Sequence, residues 1–284
     1  MYKTRPDKPL DPVTKSVIKA LHGILSSRGA SYFIIGATAR DLMMTHVFGI
    51  EARRATRDVD FAIALEDWAQ FNIIKNDFIR TGDFYPVDGA AHRLHYKRDE
   101  FGTAYPLDLI PFGRIEFSPH KIAWPPDMSV VMNVAGYAEA LDSALHVDIG
   151  EDYIVHVVSI PALAALKLLA WNDRAMLDDK DAQDLLFLLR HYHEAGNDAR
   201  LYDEAYSLMQ ANGFDLALAG AALLGYDASI ILENTTVEAL LAVVADPAKR
   251  GRLVVQMDRS LGADPALTDG FITQFERGLG LHTL

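Results

Sequence analysis

Residues 32–44 read YFIIGATARDLMM and residues 54–65 read RATRDVDFAIAL. The first segment opens with Tyr32–Ile35, an almost continuously apolar run of the kind found in strands buried on both faces. A small-residue turn, Gly36-Ala37-Thr38, follows and leads into a helix expected to begin near Arg40-Asp41. The second segment is a strand carrying Asp58 and Asp60. Strand side chains alternate faces with period two, so these carboxylates share one side, while Val59, Phe61, Ile63 and Leu65 share the other. Two carboxylates side by side, facing a glycine turn at a helix start, suit a metal-phosphate site. Glycine there lets a ligand approach the main chain, and helix-start N–H groups favour an anion. Read alone, without a full glycine-rich fingerprint, Gly36 is an ordinary strand-to-helix turn; the aspartate pair gives it a second meaning.

Working outward, residues 13–27 carry Val17, Ile18, Leu21, Ile24 and Leu25 at helical spacing, with Gly29 placed to end the helix. Residues 45–57 form a polar, basic linker. Its Arg53, Arg54 and Arg57 either steer a polyphosphate or offset the nearby carboxylates. Helical periodicity returns over residues 65–84, and strands are expected over 91–96 and 105–112, joined by a turn at 99–103. Asp108 lies in the second of these, among apolar neighbours, where an unpaired charge would cost several kcal/mol. Either an ion pair with Arg93 or a metal shared with Asp58 and Asp60 would account for it. A loop and short strand over 120–136, a short helix over 137–141 and a last strand over 153–159 complete this part.

From Ser159 onward the pattern is helical, with Ser159 as N-cap and Pro161 in the first turn. The chain is therefore expected to be α+β. A mixed β-sheet flanked by helices spans residues 1–155, and a helical domain spans 156–284. In the first helix of that domain Lys167, Trp171 and Arg174 share one face, with Leu166, Leu169 and Ala170 on the buried side. Asp181 and Asp184 lie one turn apart in the next helix. Lys167 sits in an apolar run and needs a partner. Residues 200–284 carry no chemical motif.

Composition bounds the possibilities. Half of the 284 residues are hydrophobic and the net charge is −12, which supports a sizeable core and argues against a globally basic nucleic-acid binder. Residues 1–58 hold ten Lys and Arg against five Asp and Glu, leaving 17 against 34 for the remainder. The basic excess beside the glycine turn suits a polyanionic substrate. There is no cysteine, hence neither a disulfide framework nor a thiolate metal site. No apolar run is long enough to cross a membrane and no signal segment is evident, so a cytoplasmic protein with no membrane partner is expected.

Three carboxylates on neighbouring strands suit Mg2+ (or Mn2+) shared with nucleotide phosphates. The order of a hydrophobic strand, a glycine turn, Asp58-Val59-Asp60 and a later Asp108 resembles the polymerase-beta-type nucleotidyltransferase superfamily. Residues 36–41, GATARD, also look like the G-G-x-x-R-D of tRNA CCA-adding enzymes. Lys167, Arg174, Asp181 and Asp184 are similar to the helical block of the AbiEii/AbiGii-type toxin nucleotidyltransferases, and the resemblance covers roughly residues 15–195. It implies transfer of a nucleoside monophosphate from an NTP to an RNA or tRNA end or a protein. The toxin of a toxin-antitoxin or phage-defence system, with a cognate antitoxin as partner, is implied with it. Two alternatives are a small-molecule, antibiotic-type nucleotidyltransferase and a non-catalytic nucleotide sensor. By the same resemblance Asp58, Asp60 and Asp108 hold metal, and Asp108 helps activate the acceptor hydroxyl. Gly36, Ala37, Thr38 and Arg40 form the nucleotide turn, and Lys167 reaches a phosphate across a cleft between the two domains. Arg57, Arg174 and Asp181 support them. One departure stands out: Ala37 occupies a position where the family has Gly or Ser.

Overall fold

The computed structural model describes residues 1–52, 58–98, 104–259 and 264–284. Arg53, Arg54 and Arg57 and the turn expected at 99–103 lie outside the described residues. The chain divides into two compact units, Met1–Val158 and Ser159–Leu284.

The first unit runs β1 (Tyr2–Lys3), α1 (Pro12–Ser27), β2 (Tyr32–Ile35), α2 (Gly36–Arg40), a π-helical turn (Asp41–Val47), β3 (Val59–Ala64), α3 (Trp68–Arg80), β4 (Phe84–Val87), β5 (Ala90–Arg98) and β6 (Ala104–Phe112). It ends with β7 (Lys121–Trp124), β8 (Val130–Asn133), α4 (Tyr137–Asp142), β9 (Leu145–Asp148) and β10 (Ile154–Val157). Eight strands form one mixed sheet in the order β1-β9-β10-β2-β3-β6-β5-β4, and β7 and β8 pair apart from it. β2 runs antiparallel to β3, and β3 runs parallel to β6.

Local chemistry explains the elements. Asp11 caps α1 by accepting from the Val13 and Thr14 N–H groups, and Val17, Ile18, Leu21 and Leu25 form its buried stripe. Asp67 caps α3, whose Phe71, Ile74 and Phe78 are buried. These two helices cover the sheet face that carries Tyr32, Phe84 and Tyr96: His22 of α1 bonds the Tyr32 hydroxyl, and Phe78 of α3 packs edge-on to Phe84. Tyr32 and Phe84 are out of phase with Asp60 by the strand pairings, so the acids point to the opposite face.

Two expectations are corrected, and two strands are added. The helix after β2 starts at Gly36 itself rather than near Arg40, because Gly36 takes a left-handed φ of +69° and turns the chain within one residue. The stretch over 120–136 is a β-hairpin rather than a loop with one strand. β1 and β9 were not foreseen, since two and four residues are too few for alternation to show.

The second unit holds α5 (Ile160–Arg174), α6 (Lys180–His191), α7 (Asp198–Tyr202), α8 (Tyr206–Ala211), α9 (Leu216–Ile231), α10 (Asn234–Ala245), α11 (Pro247–Asp258) and α12 (Pro265–Leu279). Ser159 caps α5 through the Ala162 N–H, with Pro161 in the first turn. α5 is buried almost all round, Lys167 and Trp171 included, so it has no single buried side as the spacing suggested. α9 and α12 meet through Gly225 and Gly278: a Cβ on Gly278 would lie 2.7 Å from the Tyr226 nitrogen and 2.9 Å from the Gly225 Cα. Among the described residues no helix is long and apolar enough to cross a membrane.

Candidate active site

The sheet pairing sets four residues in one row. Ile35 of β2 stands opposite Asp60 of β3, Asp60 opposite Asp108 of β6, and Asp108 opposite Arg93 of β5. Residues in register on neighbouring strands share a face, so Asp60, Asp108 and Arg93 converge on the side away from α1 and α3. Asp58, two residues before Asp60, is exposed at the entrance to β3. Further along the same face, Phe33 and Phe112 pack against Tyr137 of α4.

The glycine turn is fitted against this row. A Cβ built on Gly36 would collide with the Asp60 carboxylate, standing 2.9 Å from its Cγ. Thr38 is buried, and its hydroxyl donates to the main-chain carbonyl of Asp58 at 2.6 Å. Its proton thus ties the turn to the Asp58-Val59-Asp60 strand. Ala37 is buried beside it. Arg40 is 2% exposed and donates from Nε and Nη2 to Asp41 Oδ1 at 2.8 and 2.6 Å, so part of its hydrogen-bonding capacity goes to the first residue of the π-helical turn that follows.

Asp108 is gripped by Arg93. Nε donates to Oδ1 at 2.7 Å and Nη2 to Oδ2 at 2.6 Å, a fork-to-fork pair. That hydrogen bonding raises the Arg93 pKa against a partial desolvation cost, and the fields of Asp58 and Asp60 add to it. His92 Nε2 stands 4.0 Å from Asp108 Oδ1, and its ring packs on buried Trp124. Burial lowers the His92 pKa, with Asp108 opposing and Arg93 assisting, which favours the neutral imidazole.

Lys167, Arg174 and Asp181 belong to the second unit, where they form a network of their own. Lys167 Nζ donates to Asp181 Oδ1 at 3.0 Å and Asp184 Oδ2 at 2.6 Å, and Arg174 Nε donates to Asp181 Oδ2 at 2.7 Å. Lys167, Asp181 and Asp184 are buried. Burial opposes the ammonium charge, but Asp184 and Asp181 together outweigh it and raise the Lys167 pKa. Likewise burial alone would raise Asp181, yet Lys167 and Arg174 hold it below the usual carboxylate range. The lysine therefore finds the partner that its apolar run demanded.

In donor type Asp58, Asp60 and Asp108 suit a hard divalent cation: all donors are oxygen, and Asp60 stands opposite Asp108 on the adjacent strand. They are not gathered into a finished ligand set. Among the described residues no three His, Cys, Asp or Glu side chains are grouped to hold a metal ion. His92 and the Thr38 bond to Asp58 went unread in the sequence. The histidine sits in an alternating strand like many structural ones, and the hydroxyl bond spans twenty residues.

Comparison with known proteins adds the following. An antigenic nucleotidyltransferase-like protein from Paracoccidioides brasiliensis is 19% identical with a TM-score of 0.43, covering 78% of this chain and 94% of that one. The antibiotic-resistance factor ANT(2'')-Ia is 14% identical with a TM-score of 0.37, over 72% and 98%. The Thermotoga maritima CCA-adding enzyme, solved with tRNA, is 12% identical with a TM-score of 0.26, over 96% and 82%. No curated protein matches significantly. Residues 24–266 match the family described as "Nucleotidyl transferase AbiEii toxin, Type IV TA system". Since that match spans most of the chain, this protein belongs to the AbiEii nucleotidyltransferase family.

Proposed function

We propose that Asp58, Asp60 and Asp108 form the catalytic set of a metal-dependent nucleotidyl transfer. The observation that carries this reading is the register of Asp60 against Asp108, with Gly36 closing on Asp60. The acceptor hydroxyl oxygen attacks the α-phosphorus of an NTP. The bond from that phosphorus to the β-phosphate bridging oxygen breaks, and pyrophosphate leaves. Asp108 helps draw the hydroxyl proton, while the Gly36-Ala37-Thr38 main chain, with Arg40 behind it, seats the triphosphate. The three carboxylates would hold Mg2+ or Mn2+, which would supply charge neutralisation at the phosphates. Lys167, kept ionised by Asp181 and Asp184 with Arg174 beside them, is the proposed phosphate-binding cation of the second unit; Arg57 assists from the basic linker.

The proposed acceptor is an RNA or tRNA end or a protein, and the proposed role is that of a toxin restrained by a cognate antitoxin. The basic excess of residues 1–58 supports a polyanionic acceptor. Labelling with radioactive NTP across RNA, protein and aminoglycoside panels tests the reaction. Asp60→Ala is expected to abolish magnesium-dependent labelling, and undiminished labelling would overturn the assignment. Label on aminoglycosides alone would move the acceptor to small molecules.

A further inference from the structure

Asp108 already holds a cation. Arg93 lies opposite it across the β5–β6 pairing and takes both carboxylate oxygens at 2.7 and 2.6 Å. On the other side, Asp60 stands opposite Asp108 across β3–β6. The Asp108 carboxylate is therefore flanked by a guanidinium and by a second acid, and it is turned to the guanidinium. The pair is partly sheltered, with side-chain exposures of 35% for Arg93 and 13% for Asp108. A bidentate guanidinium and a divalent ion seek the same oxygens, and like charges brought within a few ångströms repel.

We propose that Arg93 is a latch on the third carboxylate: it aligns Asp108 in the resting protein and lets go when a divalent ion bridges Asp108 to Asp60. This rests on the reading of Asp58, Asp60 and Asp108 as ligands of the ion. The latch accounts for both Asp108 oxygens being turned to Arg93 rather than to Asp60 on the other side. It also gives Arg93 a second use. An ion binding at Asp58 and Asp60 weakens the arginine's hold through like-charge repulsion. The freed guanidinium has five N–H donors suited to a phosphate. Ion and nucleotide then bind more tightly together than either does alone, so Arg93 is a positioning residue that couples the two.

The experiment is a Mn2+ titration of the full chain followed by electron paramagnetic resonance, with and without a non-hydrolysable NTP analogue. Arg93→Met, checked for folding by circular dichroism, is expected to bind Mn2+ about fivefold more tightly than the parent without nucleotide, the scale of a partly exposed ion pair. The analogue should strengthen Mn2+ binding less in this variant than in the parent. Asp60→Asn should weaken Mn2+ binding in both backgrounds. Equal or weaker binding by folded Arg93→Met, with Asp60→Asn still damaging, overturns the latch and leaves the carboxylate reading standing. No effect of Asp60→Asn overturns the carboxylate reading itself. Should Arg93→Met fail to fold, Arg93→Lys takes its place. An ammonium covers the carboxylate less completely, so a smaller gain in affinity is expected, and unchanged affinity overturns the latch.

Discussion

Gly36 and Asp60 compete for the same space: a Cβ at Gly36 would overlap the Asp60 carboxylate and lie 3.1 Å from its Cβ. Only a residue without a side chain lets the carboxylate occupy that position, and Gly36 is also left-handed at φ +69°. Gly36→Ala is therefore expected to lose about 1–2 kcal/mol from backbone strain alone, and to displace Asp60 as well. Thermal denaturation measures the first effect. Loss of NTP labelling beyond what the folded fraction explains measures the second. Wild-type labelling in a folded Gly36→Ala protein would refute the link.

Thr38 should contribute to stability through its bond to the Asp58 main chain. Thr38→Val removes a buried hydroxyl that donates to the Asp58 carbonyl at 2.6 Å, a hydrogen bond worth about 0.5–1.5 kcal/mol. Thr38→Ser restores the donor. Chemical denaturation is expected to rank wild type and Ser together above Val, and equal midpoints for all three would contradict it.

The buried lysine network predicts a pH profile. The Asp181 pKa is depressed in the folded chain, so its contribution is present above the ordinary value of 3.8 and is lost as pH falls through the lower folded value. Lys167 is raised, so its contribution is complete below 10.5 and is lost as pH rises through the higher folded value. Denaturation midpoints should fall at both extremes, below about pH 4 and above about pH 10.5. In Lys167→Met, the paired acids lose their buried cation. Breaking one side of such a pair costs about 3–5 kcal/mol, and the alkaline fall due to Lys167 should vanish. An unchanged alkaline limb would assign it to other groups.

Two glycines on the second unit should respond in opposite ways. Gly278→Ala drives a methyl into α9 at its crossing with α12 and is expected to cost at least about 1–3 kcal/mol through overpacking. Gly251 lies on an exposed turn of α11 with nothing within 4 Å of a built Cβ. Gly251→Ala should gain about 0.5–1 kcal/mol from helix propensity. Calorimetric melting separates the two.

Much of the candidate site was legible in the sequence because acids are conspicuous in or beside apolar strands. Asp58, Asp60 and Asp108 could each be picked out this way, and Tyr32–Ile35 matches its strand to the residue. Register was the hidden quantity. Parallel pairing of β3 with β6 joins segments about fifty residues apart, and alternation within a strand says nothing of which partner residue lies opposite. For the same reason the sequence left Asp108 open between an arginine and a metal, whereas the folded chain shows the arginine. Lys167 announced its need of a partner. That it would take both Asp181 and Asp184 depended on how α5 and α6 are packed.

The row Ile35–Asp60–Asp108–Arg93 draws on four strands, and its members are collected from residues 35 to 108 of the chain. Parallel pairs such as β3–β6 close long loops before any contact rewards them, and such contacts form slowly. During synthesis, Asp58 and Asp60 leave the ribosome well ahead of the strand that completes their row. A nascent chain ending before β6 carries the Asp58-Val59-Asp60 sequence without its opposing acid. The row therefore cannot be complete in a growing chain until β6 has been added and has found its place beside β3.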